Sequence, residues 1–452
     1  MSALEKALSY SKKFKLDECE IVISSRRITT VRITDSEIFE LKKNFEKSYG
    51  IRIIEDKKIT SFQTNDEKEI PLAIGKNFEN LHLIKKREFW KSLPSELKSK
   101  ISLGGVYDKK LEDVSGSFAT DLAQSMINSS TNAQINSISG SLNIVSEIFE
   151  IGNSKGLSLE DKGTYISGII NADSEGSEVS GIGHGCGRTL ASFFPEKIGE
   201  DAKTMCIESI NPKICDSGVY SIIFEPYSVG EILSFVASSN FNFKTYSEKK
   251  SCFSEKINEN IATNNLSLID NPHLKEGIGS KPFDDEGIQT KINTIIDKGK
   301  FVNTFSNLFD GFKENSESTG NGSRSGSPMG RNSDPIPMSL PHNMEIQSGD
   351  ITREEMIKDT KHGLIVGRLW YTYAVNPIKG DFSCTARSGI RIIENGKIIN
   401  PGKPVRIIHS LPKFLKNISA IGKDKKNVIQ WASIPSSTPS IRVEQIKVTP
   451  IN

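Results

Sequence analysis

The sequence is short of most things that would announce a metal centre or an export route. Its six cysteines, Cys19, Cys186, Cys206, Cys215, Cys252 and Cys384, include no C-x-x-C pair. That excludes a zinc knuckle or a thioredoxin-type centre and suits reduced thiols rather than a disulfide scaffold. None of the six histidines falls into the H-E-x-x-H spacing that sets two imidazoles on one helix face. No apolar run reaches about 18 residues, and the N-terminal "MSALEKALSYSKKFKLDECE" has no signal-peptide core. Export and membrane spanning are therefore not expected, and the cytoplasm is the expected location. Charge of one sign is also missing: 58 basic residues face 56 acidic ones, a formal +2, so no net field recruits nucleic acid or an anionic membrane.

What remains is ordinary globular material, 36% hydrophobic and 25% charged over 452 residues, too much for one core. Residues 2–14 read as a helix, with Ser2 as its cap and Leu4, Ala7 and Leu8 on one face. "CEIVISSRRITTVRI" and "SYGIRIIEDKKITSFQTND" read as strands of a meander backed by that helix, the latter turning at Glu-Asp-Lys-Lys. A helix and at least two strands are expected within 106–165. "FPEKIGEDAKTMCIESIN" is the clearest helix, with Pro195 at its start and Ile198, Ala202, Met205, Cys206 and Ser209 on one face. Residues 314–343, dominated by Gly, Ser, Asn and Pro, read as a long surface loop or flexible flap. Beyond it Ser348 or Asp350 caps a short helix that His362 and Gly363 end. Asn395-Gly396 marks a type I′ hairpin in a mainly antiparallel last third. The expected fold is α+β, with an N-terminal α/β domain (1–105), a central domain packed on it (106–215) and a mainly β C-terminal domain (216–452) carrying the flap.

Several groupings carry candidate chemistry. "GVYSIIFEPYSVGEILSFVASSN" (218–240) is a strand, a turn and a helix, the shape of a G-x-S-x-G nucleophile elbow around Ser228, although Pro226 stands where the first glycine belongs. The competing reading makes Ser228 a cap for a helix over 229–238. "GIGHGCGR" places His184 and Cys186 two residues apart as potential soft metal ligands, or as an incidental pair in a glycine-rich turn. His82, His273, His342, His362 and His409 stand alone, and Glu354 and Glu355 suit the first turn of a helix better than acid/base work. Asp381, Arg387 and Gly389 sit in or beside strands that could take a peptide by strand addition, or form a surface ion pair.

The runs "YGIRIIEDKKITSF", "FPEKIGEDAKTMCIESINPKICDSGVYSIIFEPYSVGEIL", "STGNGSRSG" and "NPIKGDFSCTARSGIRIIENGKI" through "PSIRVEQIKV" occur in the order seen in the TldD/PmbA family, and the chain resembles that family over nearly its whole length. The resemblance implies two subunit types: TldD, a metallopeptidase with H-E-x-x-x-H on a helix, and TldE or PmbA, which lacks those ligands and assembles with it to degrade or trim unfolded peptides. It places Ser234 and Ser239 where the two histidines would stand and Phe235 where the glutamate would. The cysteine ligand expected after "IGKDKKN" is absent from "VIQWASIPSSTPS". Hydroxyls and a phenyl ring cannot hold zinc or serve as a base toward metal-bound water. The resemblance thus implies a TldE-type chain with no cofactor of its own, zinc in a TldD-like partner, peptide or unfolded protein as substrate, and a homodimer as an option in isolation. An autonomous hydrolase through Ser228 or a site at His184 and Cys186, and a homo-oligomeric peptide-binding module, stay open beside it.

Overall fold

Residues 3–14, 16–97, 101–430 and 434–451 are described by the computed structural model; Ser2, the expected cap of the first helix, lies outside them. Strict alternation organises the first half. In β1 (Glu18–Thr34), Cys19, Ile21 and Ile23 and then Val31 and Ile33 point to one face, and Glu20, Val22, Ser24, Arg26 and Ile28 to the other. β1 pairs with β2 (Glu37–Glu55) and β4 (Ser137–Asn153) in a six-stranded antiparallel sheet. With β3 (Lys58–Thr64), β5 (Ser158–Ser174) and β6 (Val179–Gly187) the order is β3-β2-β1-β4-β5-β6. This one sheet runs through both the 1–105 and the 106–215 regions.

Helices cover the odd-numbered face of β1 at its two ends. α1 (Ala3–Ser11) and α2 (Ile70–Asn80) bury Leu4, Ile70 and Ile74 against Ile21, Ile23 and Ile51. α3 (Gly116–Ser130) and α4 (Pro195–Ile207) bury Ala119, Ala123, Ile198, Ala202 and Cys206 against Val31, Ile144 and Ile170. Ser115 caps α3 by accepting from the Phe118 amide, and Pro195 opens α4 as expected.

The second half is built around a nine-stranded sheet. β7 (Gly218–Phe224) lies at its centre, antiparallel to Ile441–Pro450 and parallel to His362–Val366. The two edges are Arg368–Asn376 and Lys397–Pro401. A second six-stranded sheet of short strands packs beside it, and one large apolar core joins them. Asn395 and Gly396 both adopt positive φ, 50° and 76°, in the hairpin between Arg391–Glu394 and Lys397–Pro401. No helix among the described residues is long and apolar enough to cross a membrane.

Several sequence readings are corrected here. The helix after residue 348 spans Arg353–Lys358 and is capped by Thr352 in a capping box with Glu355, not by Ser348 or Asp350. His362 does not end that helix; it begins a strand, stacks on Tyr220 and contacts Glu394. Most consequential, 314–343 is neither a surface loop nor a flap. Its middle is threaded against the even-numbered face of β1, with Asn321, Arg324, Arg331 and Ser333 all buried.

The threading is held by charge. Arg324 Nη2 lies 2.6 Å from Glu20 Oε1, Arg52 Nη2 lies 2.9 Å from Glu20 Oε2, and Arg52 Nη1 reaches Glu286 at 3.1 Å. Arg331 binds Glu147 at 2.8 Å and Asp161 at 2.7 Å. Arg26 donates to the carbonyls of Ser327 and Met329. Gly50 permits the closest approach, since a Cβ there would stand 1.9 Å from the Ser333 carbonyl.

Breaking one member of a buried ion network leaves its partner charged and unpaired, at a cost of about 3–5 kcal/mol. Arg324→Met should therefore lower unfolding free energy by that order in urea titration, whereas Lys249→Ala, which removes an exposed pair with Glu255, should leave the midpoint unchanged.

Candidate functional site

The strand-turn-helix passage lies at the heart of the C-terminal core. Tyr220, Ile222 and Phe224 of β7 are buried, Glu225 follows in extended conformation, and Pro226 starts the helix. The helix runs as α5 (Pro226–Ile232), a π-turn (Leu233–Ala237) and a last turn (Ser238–Asn240). Residues five apart on a regular α-helix diverge by about 140°. The extra residue of a π-turn brings position i+5 back near the place of i+4, and such turns recur at functional sites.

Ser234 is buried, and its hydroxyl lies 3.0 Å from Gln430 Oε1 and 3.1 Å from the Ile434 carbonyl, so one proton serves two acceptors. Gln430 also donates to the Tyr227 carbonyl, and Gly230 leaves it room: a Cβ there would stand 2.4 Å from Gln430 Nε2. Phe235 packs half-buried on the apolar core. Ser239 is exposed, and its carbonyl accepts from the Thr245 hydroxyl. The three positions thus serve packing and local hydrogen bonding. Among the described residues, no three His, Cys, Asp or Glu side chains stand together where they could hold a metal ion. This donor set does not fit zinc.

Ser228 is neither elbow nor cap. It sits inside α5, fully buried, and donates to the Val366 carbonyl at 2.9 Å, with no imidazole bonded to it. A nucleophile needs an adjacent base and an exposed oxygen, and this serine has neither.

His184 and Cys186 share one face of β6, and the His184 ring lies 5.2 Å from that of Tyr227. Burial, aided by Lys426, lowers the His184 pKa to about 4, while burial pushes the Cys186 thiol up to about 12. Both are neutral near pH 7, and among the described residues no third ligand stands beside them. His184, but not Cys186, lines a cleft of about 300 Å³ between β6, α4 and the start of α5. Within it Glu225 Oε1 takes Arg353 at 2.9 Å and Arg391 at 3.4 Å, and Arg391 reaches Glu208 at 2.9 Å. That charge is internally compensated.

Arg387 and Gly389 come together at a larger cleft of about 830 Å³, where the Arg387 guanidinium lies 3.8 Å from the Trp370 ring centre. Asp381 does not join them. It begins the strand Asp381–Ser388, six residues from Arg387, or about 20 Å at the rise of a strand. That strand is also not an edge, because it pairs with Arg368–Asn376 on one side and Val405–Ser410 on the other. Strand addition there is excluded; the free edge belongs to Arg368–Asn376.

Two groups escaped sequence reading. Glu231, one helical turn before Phe235, is buried and accepts from the Leu369 amide at 2.6 Å. Burial raises its pKa to about 8, against the opposing effects of that bond and Arg368. The run Asp284-Asp285-Glu286 is wholly buried. Burial raises both Asp284 and Glu286, helped by the Glu286 carboxylate at Asp284 and by the Glu20 carboxylate at Glu286, while the Lys281 ammonium holds Asp285 down against its own burial. Three consecutive acids before a glycine were the available signal.

Family models for the PmbA/TldA metallopeptidase match in chain order: domain 1 over residues 19–80, the central domain over 109–209 and the C-terminal domain over 217–450. A metalloprotease PmbA homolog of Buchnera aphidicola is 27% identical over 306 residues, which cover 66% of this chain and 64% of that protein. The chain thus spans less than two thirds of that relative's length. A metalloprotease of Methanocaldococcus jannaschii is 24% identical over 421 residues, 90% of each chain. The crystal structure of TldE from Thermococcus kodakarensis superimposes with a TM-score of 0.89 at 21% identity, covering 99% of this chain and 100% of that one. A putative modulator of a DNA gyrase from Thermotoga maritima gives 0.85 at 22%, covering 99% of each. At these identities the two structures show the fold.

Glu231 sets a pH dependence. Its folded pKa of about 8 exceeds the unfolded value of about 4.3, so between these values the folded state binds more protons and stability falls as pH rises, flattening above about 8. Glu231→Gln keeps the acceptor for Leu369. In urea titrations between pH 5 and 8 it should remove a slope of up to about 1.4 kcal/mol per pH unit; parallel curves for the two proteins would refute the assignment.

Proposed function

The chain belongs to the TldD/PmbA metallopeptidase family, and from that premise we propose that it is the non-catalytic, TldE-like subunit of a TldD-type peptidase. In this reading zinc and bond cleavage reside in a TldD-like partner, and this chain positions peptide or unfolded protein at the shared chamber. The observation that carries it is the substituted helix: Ser234 is committed to Gln430 and Ile434, Phe235 to the core, and Ser239 faces outward. A hydroxyl is a weak zinc ligand, and a phenyl ring can neither coordinate nor accept a proton. The neutral state of half-buried His184 and buried Cys186 and the carbonyl-bound state of Ser228 weigh against independent hydrolysis.

The existence of both TldD-named and TldE-named relatives supports a two-subunit arrangement. The cleft at Trp370, Arg387 and Gly389 is the peptide-contact surface this reading assigns; Asp381 is no longer part of it.

The test is reconstitution. The purified chain should carry well under one zinc per chain by elemental analysis and cleave no unstructured peptide, and cleavage should begin when a TldD-like subunit is added and co-elutes with it. Stoichiometric zinc together with peptide cleavage by the chain alone would overturn the reading, as would failure of any TldD-like subunit to associate while the chain forms a peptide-binding homo-oligomer.

A further inference from the structure

The helices on the first sheet leave its middle bare. Along β1 the covered face carries Ile21 and Ile23 under α1 and α2, and Val31 and Ile33 under α3 and α4. The three residues between them on that face are Ser25, Arg27 and Thr29. Cross-strand register shows what accompanies them. Thr29 stands opposite Lys43 and Ile144, Arg27 opposite Phe45 and Ser146, and Ser25 opposite Lys47 and Ile148, with Lys162 next to Ile148 on β5. Three successive rows on four strands therefore present four cations, Lys43, Arg27, Lys47 and Lys162, and no carboxylate.

These rows form a trough. Two adjoining cavities, about 390 Å³ and about 230 Å³, share Arg27, Phe45 and Glu112. The floor is apolar at Ile144 and Ile148, and Phe45 is 65% exposed beside it. Its wall supplies Glu112, whose carboxylate accepts from the Tyr107 hydroxyl at 2.6 Å, and Asp113, 3.5 Å from Lys43; Glu147 also borders the smaller cavity, but it is buried and bound to Arg331. Lys43 is further engaged by the Val114 carbonyl. Arg27 has only a ring contact, 5.8 Å above Phe45, and Lys47 lies over Tyr49 at 5.5 Å; among the described residues neither forms a salt bridge, and Lys47 acts on Glu67 and Glu150 only at longer range. Lys162 has a loose surface contact to Glu160 at 3.9 Å. The next row, with Glu150 opposite Glu160, closes the trough with negative charge.

We propose that this trough is a docking site for an acidic polypeptide segment anchored by an apolar side chain. The argument is charge complementarity around an apolar floor: an exposed aromatic and unpaired cations lie where a compact sheet face is normally covered. Crossing four strands takes about 14 Å, the length of four to five extended residues. The continuous trough suits a chain with carboxylates for Arg27, Lys47 and Lys162 and one apolar residue set against Phe45 and Ile148. This site stands apart from the peptidase reading and does not depend on it.

The probe is a fluorescein-labelled peptide, Glu-Leu-Glu-Phe-Glu-Leu-Glu, with the full chain titrated by fluorescence anisotropy at low salt. Saturable binding is expected, weakened about tenfold or more in the double variant Arg27→Glu, Lys47→Glu, several-fold in Phe45→Ala, and by 0.3 M salt. Lys358→Glu, on another element, should leave it unchanged. The proposal is overturned if the peptide does not bind, if its glutamine-for-glutamate version binds equally well, if the double variant binds like the parent, or if a single-stranded oligonucleotide binds the same residues more tightly and displaces the peptide.

Discussion

The clasp between the first sheet and the segment 281–343 is the constraint on which the other features depend. Glu20 sits in the middle of it, taking Arg324 on one oxygen and Arg52 on the other. β1 can tolerate buried Glu20, Ser24 and Arg26 on one face only because the opposing segment answers each: a guanidinium for the carboxylate, the Arg331 carbonyl for the Ser24 hydroxyl, and two carbonyls for the guanidinium. A buried network of this kind adds little net stability over an apolar interface, but it penalises every mismatched register. It fixes one half of the molecule against the other, and with it the clefts that lie between them.

Charge balance inside the clasp is uneven, with chemical consequences. Around Arg331 the cation dominates: Glu147 is held below its usual range despite complete burial, and the Tyr165 hydroxyl donates to it at 2.7 Å. Around Glu286 the acids outnumber the cations. Asp284 accepts from the amides of Glu286, Ile288 and Gly322, yet burial and the adjacent carboxylate still raise it. Three amide bonds favour the ionised form, but the loss of water costs more. A proton is therefore the cheapest remaining counter-ion at that end of the network.

Much of the secondary structure was legible, and the reasons for failure are specific. β1, the β2–β3 turn, α4 and the Asn395-Gly396 hairpin follow from alternation, helical period and turn chemistry, all of which act over a few residues. The burial of 314–343 could not be read that way, because Gly, Ser, Asn and Pro serve equally in a solvent-exposed loop and in backbone threaded through a crowded polar interior. What distinguishes the two is Glu20, Arg52 and Glu147, hundreds of residues away in sequence. The same non-locality misplaced Asp381 at an edge: a strand's neighbours come from the sheet order, and Val405–Ser410 lies beyond a hairpin. Ser228 looked like a cap because capping residues and first-turn residues are separated by only a few positions, and Pro226 had already fixed the start of the helix at Glu225.

The site helix carries a π-turn inside a buried apolar core. A π-turn is a costly way to build a plain core helix, since it disturbs the i to i−4 ladder. Here local bonds compensate: the Ser238 hydroxyl donates to the Ser234 carbonyl and the Asn240 amide to the Val236 carbonyl. Gln430, seated against Gly230, holds Ser234 from the other side. The turn is thus kept by short polar side chains, with Ser234 set into the core and Ser239 facing solvent.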